Sequence, residues 1–312
     1  MKTKKGLVLC ALALFSSLGM NAQTTFQFEG NPLIKHIYTA DPTARVFEGK
    51  LYLYTSHDRN DATYFDMNNW RLFSTPDLKT WTDHGNFFAL TDIKWANSLA
   101  WAIECVERDG NYYLYYPVER KQIGVGVSKS PEGPFVDSGK PLLDNTGKIK
   151  EIGREPIDPT VIVDKGQAYI YWGCRDFRMA KLKNNMTEIE GDIMYPKIIG
   201  NENDKEGDRG FYGEGPFIFK RKDIFYLMYS NGWSPKSTLV YATAKNPLGP
   251  FTYQGEVMHV VSSFTSHGSI VNFKGKWYIF YHNKDLSSSE YRRSVCFDEL
   301  HFDAQGRISR LN

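Results

Sequence analysis

A short aromatic segment led by Gly or Lys recurs along this chain of 312 residues. The five segments begin at Gly49, Gly110, Gly166, Lys222 and Gly275, at intervals of 61, 56, 56 and 53 residues. The Tyr, Phe and Trp residues that follow each lead are typical of β-strands. A repeat of this length indicates a propeller or an array of multi-strand units. Since no helical periodicity is sustained, the sequence predicts an all-β fold, a five-bladed β-propeller around a central channel.

Four of the five repeats carry a titratable side chain at one equivalent position, ten or eleven residues before the aromatic run. These residues are Asp41, Asp158, Glu214 and His267. The innermost strand of each blade lines the channel of a propeller, so equivalent residues of different blades should converge in one pocket. An Asp before Pro-Thr, as at 41 and 158, is also a common turn opener. Turns do not require three carboxylates at one repeat position, however, and like charges held together are costly. The set therefore indicates an active site. His267 could bind an axial metal ion or a water network, or it could be a structural histidine.

Composition limits the partners that the chain can have. Hydrophobic residues make up 41% of the sequence and aromatic residues 15%, which is enough for one large core, and residues 23–312 are expected to form a single catalytic domain. The formal net charge is +2, with acidic and basic residues interspersed. This pattern lacks the electrostatic footprint of a nucleic-acid-binding protein and favours a neutral partner. We expect a monomer.

The first 22 residues have the pattern of a signal peptide. A basic start, residues 1–5, precedes an apolar run over residues 6–20 that is too short for a comfortable membrane span. We therefore expect export to the periplasm or the cell exterior, and no membrane span. Export permits disulfides, but the remaining cysteines are odd in number and sparse, so buried free thiols are predicted at Cys105, Cys174 and Cys296.

Five ordered motifs resemble those of glycoside hydrolase family 43, the five-bladed arabinofuranosidases and xylosidases. The motifs span nearly the whole chain after the signal segment and are Ala40–Phe47, Ile157–Asp164, Gly213–Phe217, Ser266–Val271 and Arg293–Cys296. The resemblance implies that Asp41 is a general base and Glu214 a general acid. It also implies that Asp158 orients the acid and raises its pKa.

The same resemblance implies further site residues. Trp101, in the segment Trp-Ala-Ile-Glu, would lie at the mouth of the second blade and stack on a sugar, and Arg293 would reach the sugar from the last blade. His267 would be associated with an axial Ca²⁺ or Na⁺, and no organic cofactor is implied. The family often has Pro where this chain has Ile103, which makes the substrate contacts of that blade less secure.

The resemblance also implies an inverting reaction, in which a carboxylic acid protonates the leaving oxygen while a carboxylate roughly 6.5–9.5 Å away activates water on the opposite face of the sugar. We expect an exo-acting α-L-arabinofuranosidase on a neutral plant polysaccharide. The alternatives within the family are a β-xylosidase, an arabinanase and a galactosidase, and the loops over residues 57–70 and 201–209 should decide among them. A non-catalytic glycan-binding propeller is the alternative of another class. Such a protein would be expected to lose one of the three carboxylates, and none is missing.

Overall fold

The computed structural model describes residues 23–147, 152–175, 177–200, 213–231, 237–259 and 261–311. The expected signal segment and the loop over residues 201–209 lie outside these ranges. The described residues form five separate sheets, and these are the blades of a β-propeller. The predicted fold class is thereby confirmed.

Each blade contains an antiparallel meander whose innermost strand lines the channel. The first blade contains β2 (Thr39–Phe47), β3 (Lys50–His57), β4 (Asn69–Thr75), β5 (Thr80–Ala89) and, at its outer edge, β1 (Thr24–Gln27). The second contains β6 (Glu104–Arg108), β7 (Asn111–Val118), β8 (Gln122–Ser128), β9 (Val136–Asp137) and β10 (Leu143–Asp144). The third contains β11 (Thr160–Asp164), β12 (Gln167–Trp172), β13 (Arg178–Leu182) and β14 (Ile189–Met194).

The last two blades differ in their outer edges. The fourth contains β16 (Phe217–Arg221), β17 (Ile224–Asn231), β18 (Thr238–Ala244), β19 (Phe251–Met258) and β15 (Ile198–Ile199), which pairs parallel with β19. The fifth contains β20 (Gly268–Phe273), β21 (Lys276–Asn283) and β22 (Ser294–Leu300). A 3₁₀ turn spans Leu90–Asp92, and no helix in the described part of the chain is long and apolar enough to cross a bilayer.

The Gly leads of the sequence repeat are hairpin turns between the first and second strands of the blades. Gly49, Gly110, Gly166 and Gly275 have φ between 71° and 84°, and each follows a residue that also has a positive φ. Two successive positive φ values suit a two-residue turn whose twist matches that of the flanking strands. The aromatic segments are therefore the second strands, and the titratable residues ahead of them lie where the channel-lining strands begin.

The hydrophobic core lies between neighbouring blades rather than at the centre of the ring. Five clusters of buried side chains each combine residues from two adjacent blades. The ring closes where the N-terminal segment runs beside β22, because Leu33 N donates to Val295 O at 2.7 Å and the Asn31 side chain bonds both backbone groups of Phe297. These hydrogen bonds hold the first and last blades together.

Candidate active site

Asp41 and Asp158 occupy equivalent positions at the channel end of their blades. Both have left-handed backbone conformations, with φ of 51° and 54°, and Asp41 lies at a register shift between Ala40 and Thr43. Asp is among the few residue types that tolerate this region, because its short polar side chain bonds locally. The same left-handed backbone conformation therefore directs both carboxyl groups into the channel.

Arg293 holds the Asp41 carboxylate with two hydrogen bonds. Its Nη1 donates to Asp41 Oδ1 at 2.9 Å and its Nη2 to Oδ2 at 3.3 Å, while Ser56 Oγ donates to Oδ2 at 2.7 Å. Burial alone would raise the pKa of Asp41, but the positive charge of Arg293 is the main opposing effect and the pKa is lowered to about 2. Asp41 is therefore an ionised carboxylate at neutral pH.

His282 fixes the backbone of Asp41 from below. Asp41 N donates to His282 Nδ1 at 3.1 Å, and His282 Nε2 lies 3.1 Å from Thr265 O. These contacts assign the proton to Nε2. Burial, and then the charge of Arg293, lowers the pKa of His282 to about 3, so the ring is neutral and serves as a fixed acceptor.

Asp58 is a second carboxylate on the same arginine. Its Oδ2 accepts from Arg293 N at 2.7 Å and from Arg293 Nε at 3.0 Å, and its Oδ1 accepts from Arg293 Nη2 at 2.9 Å. Burial raises the pKa of Asp58, and Arg293 opposes that effect. Sequence reasoning missed this residue.

Glu214 and Asp158 are two neighbouring carboxyl groups. Among the described contacts, neither accepts a hydrogen bond from an Arg or Lys side chain. Burial, and then the charge of Asp41, raises the pKa of Glu214 to about 7. Burial, and then the charge of Glu214, raises the pKa of Asp158 well above its ordinary value. The repulsion expected between the two groups is therefore present and acts on Asp158, while Asp41 and Glu155 are the charges that raise the pKa of Glu214. Like charges in one site keep a proton there at neutral pH.

The backbone at Gly215 joins these groups to His267. Gly215 N donates to Asp158 Oδ2 at 3.0 Å, and His267 Nδ1 lies 3.8 Å from the same oxygen. Gly215 has a φ of 65°, and a Cβ there would lie 2.7 Å from His267 Nδ1. Only glycine allows the loop before β16 to approach the histidine so closely.

His267 is the residue that the family resemblance associates with a metal ion. It is buried, and burial lowers its pKa, so the ring is neutral and able to coordinate. The described residues contain no group of three or more His, Cys, Asp or Glu side chains that could hold an ion. Hard cations such as Ca²⁺ require several oxygen ligands. The described residues therefore supply His267 without a complete set of protein ligands for such an ion.

All six residues singled out in the sequence line one cavity of about 250 Å³. Asp41, Asp158, His267 and Arg293 are buried at its base, and Glu214 is partly exposed. Trp101 forms part of its mouth, where the Trp101 Nε1 donates to Phe65 O at 2.8 Å and Arg120 lies over the indole ring. Further lining residues that the sequence analysis did not single out are Phe65, Met67, Arg120, Glu155, Ile157, Cys174, Arg175, Phe264 and Thr265.

Arg293 was expected to hold a sugar hydroxyl, and the structure places its donors elsewhere. Its guanidinium N–H groups contact Asp41, Asp58 and Thr265, and the Phe65 ring covers it at 4.9 Å. Cys105, Cys174 and Cys296 are buried and free, as predicted. Cys174 nevertheless lies in the cavity wall, where its thiol is a hydrogen-bond partner of the Glu214 carboxyl.

A comparison with known families identifies the chain. The family model described as glycosyl hydrolases family 43 matches residues 30–308. The chain belongs to glycoside hydrolase family 43. The assignment made from the sequence motifs is confirmed, and the protein is a glycoside hydrolase.

Several relatives match over nearly their full length. "Xylosidase/arabinosidase 43A" of Humicola insolens is 34% identical and covers 89% of this chain and 98% of its own. "Beta-xylosidase" of Xylanibacter ruminicola is 34% identical, with 88% and 97% covered. A solved family 43 β-xylosidase/α-arabinofuranosidase from a compost microbial metagenome, in complex with xylotriose and described as a calcium-free form, superposes with a TM-score of 0.80 at 32% identity and covers 92% and 98%.

Proposed function

We propose that this family 43 enzyme removes terminal α-L-arabinofuranosyl residues from plant polysaccharide side chains by single-displacement, inverting hydrolysis. The observation that carries the proposal is the separation of charge states within one cavity, with a pKa of about 2 for Asp41 and about 7 for Glu214. Two carboxyl groups whose surroundings push their pKa values apart supply a base and an acid at the same pH.

In this mechanism Asp41 accepts a proton from the attacking water. Its left-handed backbone, the His282 contact and the Arg293 fork hold the carboxylate in one orientation, so little reorganisation is needed at the moment of reaction. Glu214 donates its proton to the leaving oxygen. Asp158 positions the acid through Gly215 N, and the charges of Asp41 and Glu155 disfavour the loss of its proton.

The shape of the cavity favours exo action. Its base is formed by buried residues of the channel, and its volume of about 250 Å³ lies below the range of roughly 300–1,000 Å³ that is typical for drug-sized ligands. One terminal pentose fits such a space better than the middle of a chain. Trp101 and Phe65 at the mouth offer apolar surface to the sugar or to the group that leaves.

A β-xylosidase activity is the second candidate, because the names of the relatives include both xylosidase and arabinosidase. Initial rates on nitrophenyl α-L-arabinofuranoside, β-xyloside and galactoside test the choice, with Asp41→Asn as a control for contaminating activity. The proposal expects the highest kcat/KM on the arabinofuranoside. A larger value on the xyloside would replace it by the second candidate, and no turnover of any glycoside would overturn both.

Two further expectations complete the proposed function. His267 would hold an axial Ca²⁺ or Na⁺ through one nitrogen, and the ion would supply positive charge beneath the carboxyl pair. Residues 1–22 would direct export, so the protein secreted by its own cell should begin near Gln23. Mass spectrometry of the secreted chain tests the second expectation, and recovery of an intact N-terminus would contradict it.

A further inference from the structure

Arg293 has no N–H group left for a substrate. A guanidinium carries five N–H donors in a fixed fork. Nε donates to Asp58, Nη1 donates to Asp41 and to Thr265 Oγ1 at 3.2 Å, and Nη2 donates to both carboxylates, which makes five bonds. The side chain is also nearly inaccessible, with a relative exposure of 2%. The protein itself therefore saturates this arginine.

Asp58 holds one edge of that fork. Its carboxylate accepts hydrogen bonds from Nε and Nη2 of Arg293, which form the edge of the guanidinium away from Nη1. It also accepts a hydrogen bond from the backbone N of Arg293. Two parallel charge-assisted bonds fix the plane of a guanidinium as well as its position. The plane fixed in this way directs Nη1 and Nη2 at the two oxygens of Asp41.

Asp58 itself is held on blade 1 and has no other charged partner among the described contacts. Its relative exposure is 1%, and its backbone N donates to Tyr38 O at 3.1 Å. It is the first residue after β3, whereas Arg293 immediately precedes β22 in the last blade. The contact therefore crosses the closure of the ring and sets the last blade against the first at the level of Asp41.

We propose that Asp58 is a positioning residue for the hydrolytic reaction, and that it directs Arg293 to the base rather than to the sugar. The inference rests on the proposed function, in which Asp41 is the base. Asp58 makes no contact with the sugar in this account. Its effect on the reaction passes through Arg293, so it should alter the rate of the chemical step and leave substrate binding unchanged.

Replacement of Asp58 by Asn gives the direct test. The amide keeps the shape but places an NH₂ group against Nη2, which turns the fork and misplaces Asp41. We expect kcat to fall by about 10- to 100-fold, the usual loss for a displacement of about 1 Å at a reacting group, while KM changes by less than about threefold. The loss should be equal on aryl glycosides with good and poor leaving groups, because activation of water is required for both.

The matched control is Asp61→Asn in the same loop, where Asp61 is exposed and pairs with Arg59. This variant should keep the wild-type kcat and KM. If Asp58→Asn does not fold, Thr265→Val removes the acceptor on the opposite side of the fork and should show a smaller loss of kcat at unchanged KM.

A raised KM at unchanged kcat would overturn the inference and return Arg293 to a role in sugar binding. An unchanged kcat would also overturn it, and so would a loss confined to poor leaving groups. A wild-type enzyme without activity on any glycoside would count against the proposed function, and the inference would fail with it.

Discussion

At the scale of single residues, the four carboxyl groups near Arg293 differ in the direction of their pKa shifts. Arg293 pairs with Asp41 and Asp58, and the pKa of Asp41 falls to about 2. Asp158 and Glu214 do not pair with it directly, and the pKa of each is raised. Burial raises the pKa of all four groups, and at Asp41 alone of the four do Arg293 and the other partners lower it below the ordinary value.

Replacement of Asp41 by Asn should abolish most of the activity. The amide keeps the bond from Ser56 and part of the Arg293 fork but cannot accept the proton of water. We expect kcat to fall by about two to four orders of magnitude, the range for loss of a general base. Steady-state rates, with circular dichroism as a control for folding, check this. A variant that keeps more than about a tenth of the wild-type rate would reassign the base.

The pH profile should be bell-shaped, with an upper limb that belongs to the acid. Activity requires Asp41 ionised and Glu214 protonated, so kcat/KM should be lost as the pH falls through about 2 and as it rises through about 7. The upper limb should vanish on a dinitrophenyl glycoside, whose leaving group needs no proton. A profile that stays flat well above neutral pH on the nitrophenyl glycoside would contradict the raised pKa of Glu214.

At the scale of elements, the channel-lining strands are joined by a buried ion pair below the active site. Glu104 on β6 accepts from the Arg45 fork on β2 and from Thr160 Oγ1 and Val161 N on β11. Arg45 in turn lies 4.7 Å from the centre of the Phe217 ring on β16. Four of the five inner strands are thus connected at one level, which holds the convergence of Asp41, Asp158 and Glu214 in register.

Removal of the Glu104 charge should destabilise the propeller without changing the residues that line the active-site cavity. Glu104→Gln leaves Arg45 without its carboxylate, and breaking a buried ion pair typically costs about 3–5 kcal/mol in the free energy of unfolding. The surface pair Lys183–Glu188 provides the control, because Lys183→Gln should cost less than about 1 kcal/mol. Urea unfolding of both variants measures the difference. Equal losses of stability would refute the structural role of the network.

At the scale of the whole molecule, the repeat explains how much the sequence could predict. Equivalent positions in successive blades converge on the channel, so Asp41, Asp158, Glu214 and His267 could be placed together from their spacing alone. Trp101 and Arg293 followed from motifs, and both line the cavity. The repeat does not predict a contact that occurs at only one place in the ring.

Asp58 shows why the remainder could not be predicted. Its partner Arg293 lies 235 residues away, across the closure of the ring. A weaker signal was present in the sequence. The residue nine positions after each repeat lead is polar in every blade, and these residues are Asp58, Glu119, Arg175, Asn231 and Lys284. Two of them, Asp58 and Arg175, contribute to the site.

An ion at His267 would connect the stability of the whole molecule to its activity. If the ion binds only the native state, its removal lowers stability by linkage, by about 2.7 kcal/mol when its concentration is 100 times its Kd. Chelation should then lower the melting temperature and activity of the wild type together and should have no effect on His267→Ala. Added Ca²⁺ should restore the wild type alone. A wild-type enzyme that is insensitive to chelation would leave His267 as a structural residue.

The central claim is that Glu214 is the acid and Asp41 the base, and a comparison of two variants on two substrates tests it most directly. The importance of an acid rises with the basicity of the leaving oxygen, so Glu214→Ala should be severe on a natural oligosaccharide and much milder on a dinitrophenyl glycoside. Asp41→Asn should damage both substrates alike, because water must be activated in each case. Equal losses on the two substrates for Glu214→Ala would contradict its assignment as the acid and the inverting mechanism with it.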